Sequence, residues 1–71
     1  MRYAIVIERA ESNLSAYVPD LPGCIATGAT VDEVKANIQE AIDFHLEGMR
    51  EDGDPIPPPT SISDYVETKV A

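Results

Sequence analysis

The sequence predicts an α+β fold: a three-stranded antiparallel sheet with one helix packed across one face. Two observations carry this. Three short β-rich runs, each bounded by turn residues, fill the chain up to Gly28. Behind a helix-start signal at Thr30, one long run then changes to a period near 3.6.

Arg2 to Glu8 is rich in β-branched and aromatic residues and reads as the first strand. Arg9 to Asn13 is polar and reads as a turn. Leu14 to Val18 alternates apolar with more polar residues, so the two runs form a hairpin. Pro19-Asp20-Leu21-Pro22-Gly23 is a tight connector, with two prolines that fix φ and a glycine that permits positive φ. Cys24 to Thr27 is a third short strand closed by Gly28.

Thr30 and Glu33 form a capping box, in which each side chain takes up an orphan N–H at the helix start. Asp32 and Glu33 add negative charge where the helix dipole favours it. Val34, Ile38, Ala41, Ile42, Leu46 and Met49 then recur at three- and four-residue steps, which predicts an amphipathic helix from Val31 to about Asp52. Gly53 suits the left-handed position after a helix, and Pro55 stops propagation. Ile56 to Pro59 is proline-rich and extended. In the tail, Ile62, Tyr65, Val66 and Val70 fit a helix, while Tyr65-Val66-Glu67-Thr68 also fits a short strand.

One helix covers one face of a sheet. Leu14, Ala16 and Val18 share one side of the second strand, as do Cys24 and Ala26 on the third. The first strand carries apolar residues on both sides, with Tyr3, Ile5 and Ile7 opposite Ala4 and Val6. The face away from the helix is therefore partly apolar, which marks an interaction surface unless the C-terminal tail folds over it.

At 71 residues the chain is one small domain with a modest core. One cysteine and one histidine allow neither an internal disulfide nor a structural zinc site, so association with another chain is the expected stabiliser. The formal net charge is −8. Polyanionic nucleic acid and anionic membranes repel such a chain, whereas a basic protein is attracted to it. The charge also serves simple solubility. Met1 to Glu8 is too short an apolar run for a signal peptide or membrane span, and a lone cysteine suits a reducing compartment, so a cytoplasmic location is expected.

His45 lies in the middle of the apolar helix stripe, where a lone histidine is more often packed than catalytic. Cys24 points toward the core and reads as a small buried hydrophobe. Its activation as a nucleophile needs a base, and His45 is the only imidazole in the chain. Glu40, Asp43, Glu47, Glu51, Asp52 and Asp54 form a solvated acidic side and end of the helix, not a converging metal site. Ser12, Ser15, Ser61 and Ser63 carry no nucleophile motif. No catalytic residue, cofactor or metal is expected.

The stretch Tyr17-Val18-Pro19-Asp20-Leu21-Pro22-Gly23-Cys24-Ile25-Ala26-Thr27-Gly28 resembles the signature of the HicB antitoxin family, whose members include UPF0150-type proteins. The likeness continues through Thr30-Val31-Asp32-Glu33-Val34, Glu40-Ala41-Ile42, Leu46-Glu47-Gly48 and Glu51-Asp52-Gly53-Asp54-Pro55-Ile56-Pro57, and Glu8 also fits. It implies a β-β-β-α-β fold similar to part of RNase H, and so a short strand over Tyr65 to Val70. It implies one HicB-like domain over 1–71 that binds HicA, a small basic mRNA-cleaving toxin, and shields the toxin's RNA-facing surface. It also implies a homodimer or homotetramer. Full-length members often add a C-terminal DNA-binding domain, for which this sequence leaves no room, so DNA binding is not carried over.

The leading expectation is therefore an antitoxin that acts by occlusion, with Glu8, Tyr17, Asp20 and Ile25 as the partner contacts. Pro19, Asp20, Leu21, Pro22, Gly23, Cys24, Gly28, Thr30, Glu33 and Gly53 form its structural motif. The alternatives are an oligomeric interaction module without a toxin, and a small enzyme built on Cys24 and His45.

Overall fold

The structure is a computed structural model that describes residues 1–70. Strands β1 (Val6–Arg9), β2 (Leu14–Tyr17) and β3 (Ile25–Gly28) form one antiparallel sheet in the order β1-β2-β3, and helix α1 (Val31–Asp52) packs on one face of it. Val6, Tyr17 and Ile25 stand opposite one another across the three strands, as do Glu8, Ser15 and Thr27.

The core lies entirely on the helix side. Leu14, Ala16, Val18, Leu21, Cys24, Val34 and Ile38 are buried, and Tyr3, Ile5, Ile7, Ala26, Ala41, Ile42 and Leu46 pack around them. Alternation along the strands selects these residues, as the sequence predicts. The β2–β3 connector is a tight turn in which Leu21 N–H donates to the Val18 carbonyl and Cys24 N–H to the Leu21 carbonyl, with Gly23 at φ 84°.

The helix begins and ends where its signals predict. The Thr30 hydroxyl accepts from Glu33 N–H at 3.1 Å, and the Glu33 carboxylate accepts from Ala29 N–H at 3.1 Å. Gly53 closes the helix in the left-handed region, at φ 73°. A Cβ on Gly28 would lie 2.6 Å from Val34 N and 2.8 Å from Val34 Cα. The bare backbone of Gly28 thus lets the helix start press directly on the end of β3.

Three details differ from expectation. The ladder of β1 begins at Val6, not Arg2, because β2 stops at Tyr17 before the Pro19 turn and leaves Arg2–Ile5 without a ladder partner. Arg2–Ile5 instead packs Tyr3 and Ile5 against the core, and the Tyr3 hydroxyl donates to the Pro57 carbonyl. The third strand runs Ile25–Gly28, displaced one residue from Cys24–Thr27.

The third difference is the short strand expected over Tyr65 to Val70, which does not form; Tyr65, Val66 and Val70 are 98, 90 and 84% exposed. Local side-chain bonds take up backbone groups there: Tyr65 N–H donates to the Asp64 carboxylate and Val70 N–H to the Thr68 hydroxyl. Such bonds compete with a ladder. The tail also leaves the outer sheet face bare, with Ile25 68% exposed.

Gly28→Ala is expected to destabilise the fold by about 1–3 kcal/mol, the cost of overpacking a tight contact. Gly48→Ala, whose new Cβ meets nothing within 4 Å, is expected to stabilise it by about 0.5–1 kcal/mol through the helix interior. Urea unfolding midpoints of the two variants check both the signs and the sizes.

Candidate partner-binding face

Antiparallel pairing decides which backbone groups remain open. Val18 N–H donates to the Cys24 carbonyl, so residues 14, 16 and 18 direct their peptide groups to β3, and 15 and 17 direct theirs to β1. By the same alternation Ile5, Ile7 and Arg9 face outward from the β1 edge, and the Ile5 carbonyl accepts there from the Ser63 hydroxyl at 3.2 Å. On the other edge the Thr27 carbonyl accepts from the Asn37 side-chain amide at 2.8 Å, so α1 partly covers it.

Of the residues expected to contact a partner, three gather on the bare sheet face. Tyr17 and Ile25 are 40% and 68% exposed and directly opposed, with Val6 completing an apolar row. Glu8 stands exposed in the next row beside Ser15. The row offers a flat apolar strip with one carboxylate beside it, which suits docking and gives no concave chemistry.

Asp20 is placed elsewhere. Its carboxylate accepts from Thr60 N–H at 3.0 Å, Ser61 N–H at 2.9 Å, the Thr60 hydroxyl at 3.1 Å and the Ser61 hydroxyl at 2.9 Å. These bonds tie the tail to the β2–β3 turn across 40 residues of sequence. The Ser61 backbone N–H, foremost among these donors, holds the Asp20 carboxyl below its usual range. No local signal in the sequence marks Thr60 and Ser61, because a latch of this separation has no periodicity.

The side chains that raise the question of catalysis stay apart. Cys24 is 4% exposed, and burial pushes its thiol pKa up, away from the reactive thiolate. His45 is half-buried, and among the described residues no hydrogen bond joins it to Cys24 or to a backbone carbonyl. The reason lies in lengths. The 22-residue helix spans about 33 Å, while a four-residue strand spans about 13 Å. Only Val34 and Ile38 of the helix are fully buried; Ala41, Ile42 and Leu46 around His45 reach the core only in part, and Phe44 is 78% exposed.

The helix acids remain solvated. Glu47 takes both contacts of Arg50, at 2.9 and 3.1 Å, in an exposed pair of small energetic weight. Among the described residues no group of three or more His, Cys, Asp or Glu could hold a metal ion, and no helix is long and apolar enough to cross a membrane.

Comparison with known proteins agrees with this architecture. A family model described as the HicB_like antitoxin of bacterial toxin-antitoxin system matches residues 3–70. An uncharacterized 14.9 kDa protein from the rep-hol intergenic region of Haemophilus phage HP1 is 42% identical over 66 residues, 93% of this chain and 50% of the relative. The chain thus spans about half the length of that phage protein. A UPF0150 protein of Archaeoglobus fulgidus is 40% identical over 57 residues, 76% of this chain and 83% of the relative. Among solved structures, a chain of the HicA3 and HicB3 toxin-antitoxin complex superposes with a TM-score of 0.73 at 33% identity, covering 83% of this chain and 70% of the other.

Two outcomes follow from the site. The depressed Asp20 pKa means that the latch is fully present above the ordinary carboxylate range and is lost as pH falls through the lowered value. Amide NMR shifts of Thr60 and Ser61 should therefore titrate below the pH at which exposed aspartates do, and Asp20→Ala should speed hydrogen exchange at both amides without loosening α1. Cys24 should resist thiol reagents in the folded chain and label only after unfolding, read by mass spectrometry; rapid labelling of native protein contradicts its buried placement.

Proposed function

Since this chain belongs to the HicB-like antitoxin family of bacterial toxin-antitoxin systems, we propose that it binds a short basic toxin of the HicA type and neutralises it by covering its RNA-facing surface. The observation that carries this reading is the bare sheet face, where Val6, Tyr17 and Ile25 form an apolar row and Glu8 stands beside it. A flat strip of apolar side chains with an acid at its margin suits a protein partner that brings its own cations.

The chain's charge supports the same partner class. Thirteen acidic residues against five basic ones attract a cationic toxin and raise its encounter rate at low salt. The same balance disfavours RNA, so the inhibitor binds the toxin and not the toxin's substrate. The related solved structure is a toxin-antitoxin complex, which supports transfer of the partner class. The action is binding, not bond-making, and it takes place in the cytoplasm, where mRNA is cleaved. Tyr17 and Ile25 supply the buried contact area and Glu8 a charged contact. Asp20 serves indirectly, by holding the tail clear of the face.

The test begins with the product of the neighbouring reading frame, if that product is a small Lys- and Arg-rich protein. Calorimetry at low salt should show a stable complex, and the mixture should lose the toxin's RNA cleavage. Tyr17→Ala and Ile25→Glu should each cost about 1–3 kcal/mol of binding, the range of an interface anchor. Higher salt should slow association more than it speeds dissociation. A basic neighbour that forms no complex at low salt, or a complex indifferent to both substitutions, overturns the reading.

A further inference from the structure

The helix side of the sheet holds a concave site that the outer face does not use. A groove of about 360 Å³ runs between α1 and the segment before β1. Ligand pockets span about 300 to about 1,000 Å³, so this one suits a small molecule and not an element of another protein. Lys35, Ile38, Gln39, Ile42 and Asp43 form one wall. Each lies three or four residues from another, so they share one helix face.

The other wall is the N-terminal segment, with Arg2, Tyr3 and Ile5. That segment has no ladder partner, yet it is held in place. Tyr3 and Ile5 pack on the core, and the Tyr3 hydroxyl donates to the Pro57 carbonyl. Ile38, 2% exposed, lies deepest. The fold thus shapes the groove before any ligand arrives.

Charge narrows the choice of occupant. Two of the five basic residues, Arg2 and Lys35, line the groove, and Asp43 is the one acid in its lining. Asp32, a turn before Lys35, lies outside it. Among the described residues neither cation has a salt bridge. A lining with a cationic excess draws an anion to a chain of net charge −8 that otherwise repels one. Asp43 lies eight residues beyond Lys35, about 12 Å along the helix. A single anionic group at Lys35 avoids it, whereas a second anionic group at the far end meets it. Ile38 and Ile42 occupy the helix face between.

We propose that the groove binds a small aliphatic carboxylate, its chain along Ile5, Ile38 and Ile42 and its head group on Lys35 and Arg2. Arg2 supplies a planar fork that matches a carboxylate, and Lys35 supplies a point charge. The bound chain takes apolar surface of Ile5 and Ile42 out of water and ties the N-terminal segment to α1. Val6, Glu8, Tyr17 and Ile25 take no part, so the site stands or falls apart from any toxin.

A proton–nitrogen NMR titration of the full chain with octanoate, far below the concentration at which it forms micelles, tests this. Octanoate should shift the amides of Tyr3 to Ile5 and of Lys35 to Asp43 saturably, and should raise the thermal midpoint. Acetate, which lacks the chain, and octanol, which lacks the charge, should each bind about tenfold or more weakly than octanoate. Arg2→Gln with Lys35→Gln should cost octanoate about tenfold, the scale of one charge-assisted contact, and leave octanol unchanged. Gln39→Lys, at an exposed position of the lining, should tighten octanoate binding. Circular dichroism confirms that α1 persists in both variants. Octanol that binds as well as octanoate, an octanoate affinity indifferent to the double substitution, shifts centred on Tyr17 and Ile25, or a titration that never saturates overturns the proposal.

Discussion

A single helix can seal only one face of a sheet, and the arrangement of this molecule follows from that limit. The buried residues of β2 and the partly buried Ile7 and Ala26 of its neighbours lie on the α1 side, so the core is one-sided. The apolar residues of the opposite phase lie outside that core, with Val6 half-buried and Tyr17 and Ile25 exposed. Val6, Tyr17 and Ile25 are aligned there by the same register that turns Ile7, Ala16 and Ala26 toward the core. The outer face is thus the geometric complement of the core: a one-residue slip of register would exchange the two. The close seat of the helix on Gly28 holds that register at one end, and the short turn through Leu21, 0% exposed, holds it at the other.

The two sheet edges are managed unequally. Asn37 caps a carbonyl on the β3 edge, whereas the β1 edge has one side-chain bond and a cation. The molecule therefore presents a flat, partly apolar face and a polar edge, which differ in chemistry as well as direction. Asp20 divides these surfaces by fixing the tail at Thr60 and Ser61, so that the tail departs beside β1 and not across Tyr17.

How much of this was legible in the sequence depends on the range of the interaction. The helix limits, the Thr30–Glu33 box and the Gly53 ending are contacts within a turn or two, and the sequence states them fully. The inward and outward sides of β2 and β3 follow from period two, which puts Tyr17 and Ile25 away from the core; the side taken by Glu8 was fixed only by the pairing of β1 with β2. The Asp20 latch was not legible, since its partners lie 40 residues away and hydrogen bonds of that separation leave no pattern. Asp20 read instead as a partner contact because it is acidic and sits in a turn. The apolar stripe of α1 promised burial as far as Met49, but the stripe carries no information about how short the strands beneath it are. The tail misled for a different reason: Tyr65 to Val70 has strand composition, while its backbone amides at Tyr65 and Val70 turn to the Asp64 and Thr68 side chains.

The chain has no tryptophan and three tyrosines, and these occupy three distinct situations. Tyr3 is half-buried and bonded to the Pro57 carbonyl, Tyr17 lies on the open face, and Tyr65 stands almost wholly in solvent on the tail. With no indole to mask them, phenol absorbance and emission give the molecule three built-in optical reporters. Tyr→Phe substitutions at each in turn assign the signal to its site without any added dye.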